Sequence, residues 1–280
     1  LIPPWIDGDA TVLSASTLGS TATTAQVHPL LFTRALVSAA MERWGARLLI
    51  GKLDKVSVGT GTSKVSSVVI DGGTSVSADI VVLAMGPWSS RDAILSSLTT
   101  RISGVKAHSV VLRPRHSTDA ISPHALFLKY RTRDGKSLDP EVYPRPSGEV
   151  YICGMPEEEN VVDVPDKPED VVPRGESIEM LRRVAGHLST HLMDDDAQVV
   201  AEQACFLPCS EDGLPLIGKV PGFEGLYVAT GHSCWGILNG PATGASLAEL
   251  IVHGHSQLVD LSPYDPARFV SSRSRRRGRT

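Results

Sequence analysis

The sequence predicts a mixed chain, an α/β layer interleaved with an α+β layer built on an antiparallel sheet, and three observations carry that expectation. Residues 80–84 form an apolar run that ends near Gly86, the pattern of a strand covered on both faces. Residues 225–244 give a second apolar run that breaks at Gly231, loops through polar residues and opens a small-residue helix. Between them, from about residue 98 to 213, short alternating segments are separated by loops rich in proline, aspartate and glycine, which is antiparallel patterning.

Taken in order, Pro29 opens a helix over residues 29–44, with Phe32, Leu36, Ala39 and Ala40 on one face and Gly45 just past its end. Residues 47–50 read as a strand. Residues 53–58 and 65–70 alternate and meet the turn Asp71-Gly72-Gly73, a small meander. The 80–84 strand follows, with helices expected on either side, and Gly86 lets the chain turn close to the sheet edge. Further strands are expected at 107–112, 125–130, 149–153 and 199–204. Among them Ile178, Leu181, Ala185, Leu188 and Leu192 alternate spacings of three and four, so a helix covers one face of that sheet. Asp194, Asp195 and Asp196 then read as a solvated helix exit rather than a cation site, because consecutive residues point in different directions. In the last helix Pro241 suits a first turn and Gly254 a left-handed cap. Gly240, Gly244 and Ala248 make a small ridge there, beside a bulkier stripe of Leu247, Leu250 and Ile251. Such a ridge admits a strand or a flat cofactor.

A chain of 280 residues with 41% hydrophobic and 21% charged residues is ordinary for a soluble globular enzyme. Its formal charge of −4 hides a split, since the last ten residues hold five arginines, and subtracting those five leaves −9. The acidic body advertises no nucleic-acid surface, and the basic end reads as a disordered tail. Four cysteines show neither CxxC pairs nor disulfide density and suggest a reducing compartment, hence a cytoplasmic location. Cys205, Cys209, His232 and Cys234 match no common zinc spacing. No apolar run approaches the roughly 20 residues of a membrane helix.

The pattern Gly231-His232, Gly236-Ile237 and Pro241-Ala242-Thr243-Gly244 resembles the C-terminal flavin signature of the D-amino-acid oxidase and glycine oxidase superfamily of FAD-dependent oxidoreductases, in its plant and fungal branch of unassigned substrate. The phrase from Ser210 through Asp212-Gly213 to Gly218, the run from Asp79 through Gly86-Pro87-Trp88, and Gln26-Val27-His28-Pro29 match the same family. The resemblance implies a partial FAD-binding, Rossmann-like domain of glutathione-reductase type, interleaved with an antiparallel-sheet substrate domain. Residues 28–97 and 214–256 would form the first, residues 1–27 and 98–213 the second, and residues 257–280 a tail disordered from about 270. The Gly-x-Gly-x-x-Gly fingerprint of the family's first βαβ unit is not found, so the chain is expected to lack that unit.

The same resemblance places FAD against Gly86, Trp88, Gly231, His232, Ser233, Cys234, Trp235, Gly236 and Ile237, with main-chain N–H groups and the helix dipole stabilising charge on the reduced ring. The small-molecule substrate would be an amine or hydroxy compound that gives up a hydride. Where amino-acid-oxidising members carry arginines for a carboxylate, this chain has Leu207 and Cys234, and Arg145 is left to supply charge from another direction or to sit in a surface ion pair. Two alternatives stand beside this expectation. A flavoprotein-fold binding or trafficking protein would keep the fold without turnover. A serine hydrolase would use Ser233 in Gly231-His232-Ser233-Cys234-Trp235, although Trp235 replaces the closing glycine of a nucleophile elbow.

Overall fold

The computed structural model describes residues 2–91, 93–97, 102–116, 121–157 and 163–270. Along the chain run α1 (Pro29–Trp44), β1 (Leu53–Val58), β2 (Val65–Ile70), β3 (Thr74–Ser77), β4 (Val81–Leu83), α2 (Ala93–Ser97), β5 (Ser103–Pro114), β6 (Leu126–Phe127) and β7 (Tyr130–Arg131). Then come β8 (Ser137–Leu138), β9 (Glu141–Pro144), β10 (Val150–Glu157), α3 (Gly175–Leu188), β11 (Ala197–Cys209), β12 (Leu216–Lys219), β13 (Leu226–Thr230) and α4 (Gly236–His253). The chain divides into two compact units, residues 1–24 with 104–206, and residues 25–103 with 207–280.

The first unit is a five-stranded antiparallel sheet in the order β11-β5-β10-β9-β6. Strand alternation sends Val110, Leu112, Val142, Val150 and Ile152 to one face, where α3 supplies Leu181, Val184, Ala185 and Leu188. Ile178 is buried as the helical spacing predicts, but α3 ends at Leu188, so Leu192 reaches the core from a separate 3-10 turn, Thr190–Leu192, and not from the helix. Trp5 seals this core at 1% exposure, and its ring N–H donates to Ser122 Oγ at 3.0 Å. Asp7 then ties the leading segment down, accepting from Thr190 N–H at 2.9 Å and Thr190 Oγ1 at 2.8 Å. The 125–130 segment is two short strands rather than one, β6 pairing with β9 and β7 with β8, because two different partners divide it. Asp194 is engaged by Arg182 at 2.7 Å, and no metal-binding cluster of three His, Cys, Asp or Glu occurs among the described residues.

The second unit holds two three-stranded sheets, β1-β2-β3 and β12-β13-β4, around a core of Val65, Leu83, Leu95, Ile102, Leu216, Val220, Leu226 and Val228. The meander and its turn match the sequence pattern, with Asp71 and Gly72 both at positive φ. Three expectations are corrected. Residues 47–50 are not a strand: they form no ladder, and Leu48, Leu49 and Ile50 are exposed. β4 is not covered on both faces, since it is the edge of its sheet and Val82 stays 40% exposed. The last helix starts at Gly236, so Pro241 falls inside it and deprives the Ile237 carbonyl of its i+4 donor.

Local stop signals behave as read. α1 ends at Gly45, φ 67°, whose N–H donates to Met41 O, and α4 ends at Gly254, φ 79°. Yet α1 buries no residue, and Leu30, Leu31, Leu36 and Trp44 are all exposed. Residues 257–269, set apart by the sequence as a tail, pack back on this unit. Glu249 accepts from Ser256 Oγ and the Gln257 and Leu258 N–H groups, Arg268 grips Asp212, and Phe269 lies against the core. Residues 271–280, where disorder was expected, lie outside the described residues. No described helix is long and apolar enough to cross a membrane.

Candidate functional site

β4 and β13 run parallel and adjacent, with Val82 opposite Tyr227 and Leu83 opposite Val228. Beyond the carboxyl end of each lies a glycine in the left-handed region, Gly86 at φ 54° and Gly231 at φ 83°. A side chain in that conformation costs about 1–2 kcal/mol, so glycine is what lets both strands turn here. The two turns are tied together. Ser89 Oγ, wholly buried, donates to Thr230 Oγ1 at 3.0 Å, and Thr230 Oγ1 donates to the Gly86 carbonyl at 3.1 Å. The half-buried Trp88 closes the first turn with its N–H on Met85 O at 3.1 Å. Ligands of open α/β sheets bind beyond such strand ends.

After Gly231 the chain makes a 3-10 turn, Ser233–Trp235, in which Trp235 N–H donates to His232 O at 3.0 Å. Ser233 holds φ 51° without being glycine, a strained conformation that only a well-determined loop sustains. α4 then starts with no side-chain cap and no acidic residue in its first turn, so neither of these offsets its positive end. Trp235, Ile237 and Leu238 are exposed around this helix start. Uncapped N–H groups inside an apolar rim suit a flat ligand with a polar edge. The space beneath the turns is closed: the cavity between Ser89, Leu95, Ile102 and Leu216 is about 10 Å³, room for one water.

His232 is half-buried, and its Nε2 lies 2.9 Å from Thr243 Oγ1. Burial lowers its pKa below the ordinary 6.5, so at neutral pH it is an uncharged ring bracing the loop against α4. Cys209 brings the end of β11 to the same place. It forms an isolated antiparallel bridge with His232, and its Sγ lies 3.6 Å from both the Leu207 carbonyl and Ser233 Oγ. Leu207, half-buried, and Cys234, exposed, are therefore joined through Cys209 and the loop, and neither carries charge. Arg145 belongs to the other unit, where its guanidinium lies 3.5 Å from Glu149 Oε2 and 5.1 Å over the Tyr151 ring.

The geometry lends the hydrolase alternative no support. Ser233 Oγ neighbours a cysteine thiol, and the adjacent histidine is committed to Thr243, so no described histidine serves that hydroxyl as base. All four cysteines are free thiols. Sequence reasoning missed Ser89 and Thr230, which hold the two turns together across 141 positions. A serine and a threonine carry no local signal of such a pairing.

A family model described as DAO, FAD dependent oxidoreductase, matches residues 11–250. Among curated proteins the chain is 35% identical over 291 residues to TDA3 of Saccharomyces cerevisiae, covering 92% of this chain and 53% of that protein. It is 31% identical to a glycine oxidase of Pseudomonas aeruginosa, covering 69% and 46%. The chain thus spans about half the length of the curated relatives it matches. Among solved structures, glycine oxidase from Geobacillus kaustophilus superposes with a TM-score of 0.64 at 25% identity, over 84% of this chain and 56% of that one. L-proline dehydrogenase from P. horikoshii gives 0.64 at 21% identity over 87% and 60%, a likeness of fold.

Proposed function

Because the chain belongs to the DAO family of FAD-dependent oxidoreductases, we propose that the paired glycine turns of β4 and β13, with the start of α4, hold the ring of FAD in an oxidase of the D-amino-acid and glycine oxidase type. One observation carries this reading: Gly86 and Gly231 lie beyond adjacent parallel strand ends, locked by Ser89 and Thr230, beside an uncapped helix start. When bound, FAD would accept a hydride from the substrate carbon. The chain's own contribution is orientation and charge. The N–H groups at the start of α4 favour electron density on the nearby ring edge, Trp235 and Ile237 offer apolar surface, and uncharged His232 keeps the loop in place without competing for a proton.

The substrate reading is an amine or hydroxy compound rather than a free amino acid, since Leu207 and Cys234 provide no cation for a carboxylate. The exposed strand edge at Val82 and the uncovered α1 also suggest that this chain by itself binds FAD weakly or not at all. Visible absorbance of the chain after incubation with FAD and gel filtration tests that point, and stoichiometric flavin would contradict it. Anaerobic bleaching of the flavin by amines, measured on a form that holds FAD, tests turnover. Bound flavin that no amine or alcohol bleaches would favour the binding-protein reading, which the absence of charge at Leu207 and Cys234 also suits.

A further inference from the structure

Cys209 and Cys234 flank the loop between β13 and α4, and both belong to the second unit, whereas Cys153 and Cys205 belong to the first. The backbone of Cys209, at the end of β11, forms the isolated antiparallel bridge to His232, an arrangement that sets paired Cα atoms about 4.5–5.5 Å apart. Its half-buried thiol lies 3.6 Å from Ser233 Oγ. Cys234 is the next residue, about 3.8 Å further along the Cα trace, and it is exposed. The other thiols are poorly placed to react with Cys209. Cys205 stands four strand steps away, about 13 Å, which is beyond the reach of a disulfide. Burial pushes the Cys153 thiol up to about 12, so it stays protonated and slow to attack. No metal-binding cluster of three His, Cys, Asp or Glu claims either loop cysteine among the described residues.

The backbone between the bridge and Cys234 holds a conformation it can leave. Ser233 sits at φ 51°, where a side chain is disfavoured, and rotation there re-aims Cys234 while the bridge keeps Cys209 beside His232. We propose that Cys209 and Cys234 are a dithiol that peroxide oxidises to a disulfide, tying the end of β11 across the turn that leads into α4. In the first step the exposed Cys234, as thiolate, attacks one peroxide oxygen; the O–O bond breaks, hydroxide leaves and takes up a proton as water, and Cys234 becomes a sulfenic acid. Cys209 then attacks that sulfur, the S–S bond forms, and the departing hydroxide takes the Cys209 proton. Two thiols and one hydrogen peroxide give one disulfide and two waters. A peroxide source beside this loop rests on the oxidase reading above, with oxygen as electron acceptor; the chemistry of the pair does not.

The test is treatment of the full chain with hydrogen peroxide, alkylation of the remaining thiols and mass spectrometry of the tryptic peptides. Cleavage after Lys219 separates the two cysteines, so the bridge joins two peptides that dithiothreitol parts again. Free thiols should fall from four to two per chain. Cys205→Ser should still form the bridge, Cys234→Ser should not, and Cys209→Ser should stop at a Cys234 sulfenic acid that dimedone traps. Tryptophan fluorescence before oxidation reports whether each variant is folded. A bridge through Cys205, a bridge between two chains, one that forms only in urea, or Cys234 left unoxidised or carried to a sulfinic acid without bridging would overturn the proposal. If the bridge forms but amines never bleach bound flavin, the oxidase reading fails and the dithiol stands; bleaching without a bridge has the opposite meaning.

Discussion

Replacing Thr230 by valine removes one hydroxyl from the centre of the candidate site and leaves the side-chain volume nearly unchanged. Thr230 is 2% exposed and Ser89 wholly buried, so water cannot replace what is lost. The change strands two groups, the Ser89 hydroxyl that donated at 3.0 Å and the Gly86 carbonyl that accepted at 3.1 Å. An unsatisfied buried polar group costs about 1–3 kcal/mol, so Thr230→Val should cost about 2–3 kcal/mol, with part of the Ser89 loss relieved by rotation of its hydroxyl. Ser89→Ala removes one donor while Thr230 still serves Gly86, and should cost about 1 kcal/mol. In the double variant no Ser89 hydroxyl remains to be stranded, so the combined loss should fall short of the sum by roughly 1 kcal/mol, a coupling typical of directly bonded pairs. Urea unfolding followed by tryptophan fluorescence measures all four forms, and an unchanged denaturant slope confirms that the unfolded states are comparable. Strictly additive losses would refute the claim that this pair joins the two turns.

Three further outcomes follow from the same geometry. His232 has its pKa lowered by burial, so the unfolded chain binds a proton more readily; stability should fall as pH drops below about 6.5, and His232→Gln should flatten that part of a melting-temperature profile. Arg268 donates to Asp212 at 2.7 and 3.1 Å and to Leu214 O at 2.9 Å, and its hydrogen bonds are the chief cause of the lowered Asp212 pKa. Stability from that carboxylate is present above its ordinary value and lost as pH falls through the lowered one; because the pair is partly solvated, Arg268→Ala should cost only about 1 kcal/mol at neutral pH in urea unfolding. Leu181→Ala, at a wholly buried position beneath the first unit's sheet, should cost about 2–5 kcal/mol, and a loss under 1 kcal/mol would mean that α3 does not pack there.

Legibility in the sequence tracked the range of the forces involved. The α3 stripe from Ile178 to Leu188 was readable because helical spacing alone assigns its inner face, and Gly45 and Gly254 were readable because a left-handed cap is a property of one residue. The loop from Gly231 to Ile237 was readable as a turn between strand and helix, but its helix began before Pro241, since packing tolerated a proline that local propensity places at the start. Residues 47–50 have the composition of a strand and form none, because a ladder requires a second chain segment alongside. β9 was not among the expected strands, and only register shows that Glu141 and Tyr143 share a face with Cys153 and Tyr151.

The amino-acid order by itself determined the turns, the helix stops, the family signature and the absence of charge at Leu207 and Cys234, all of which depend on residue type and short spacing. Only the tertiary structure decided that Ser89 reaches Thr230 and that Cys209 meets His232. The reason is physical: a covalent neighbour constrains a residue through a few torsions, whereas a contact between separate segments of the chain exists only once burial has selected which surfaces meet.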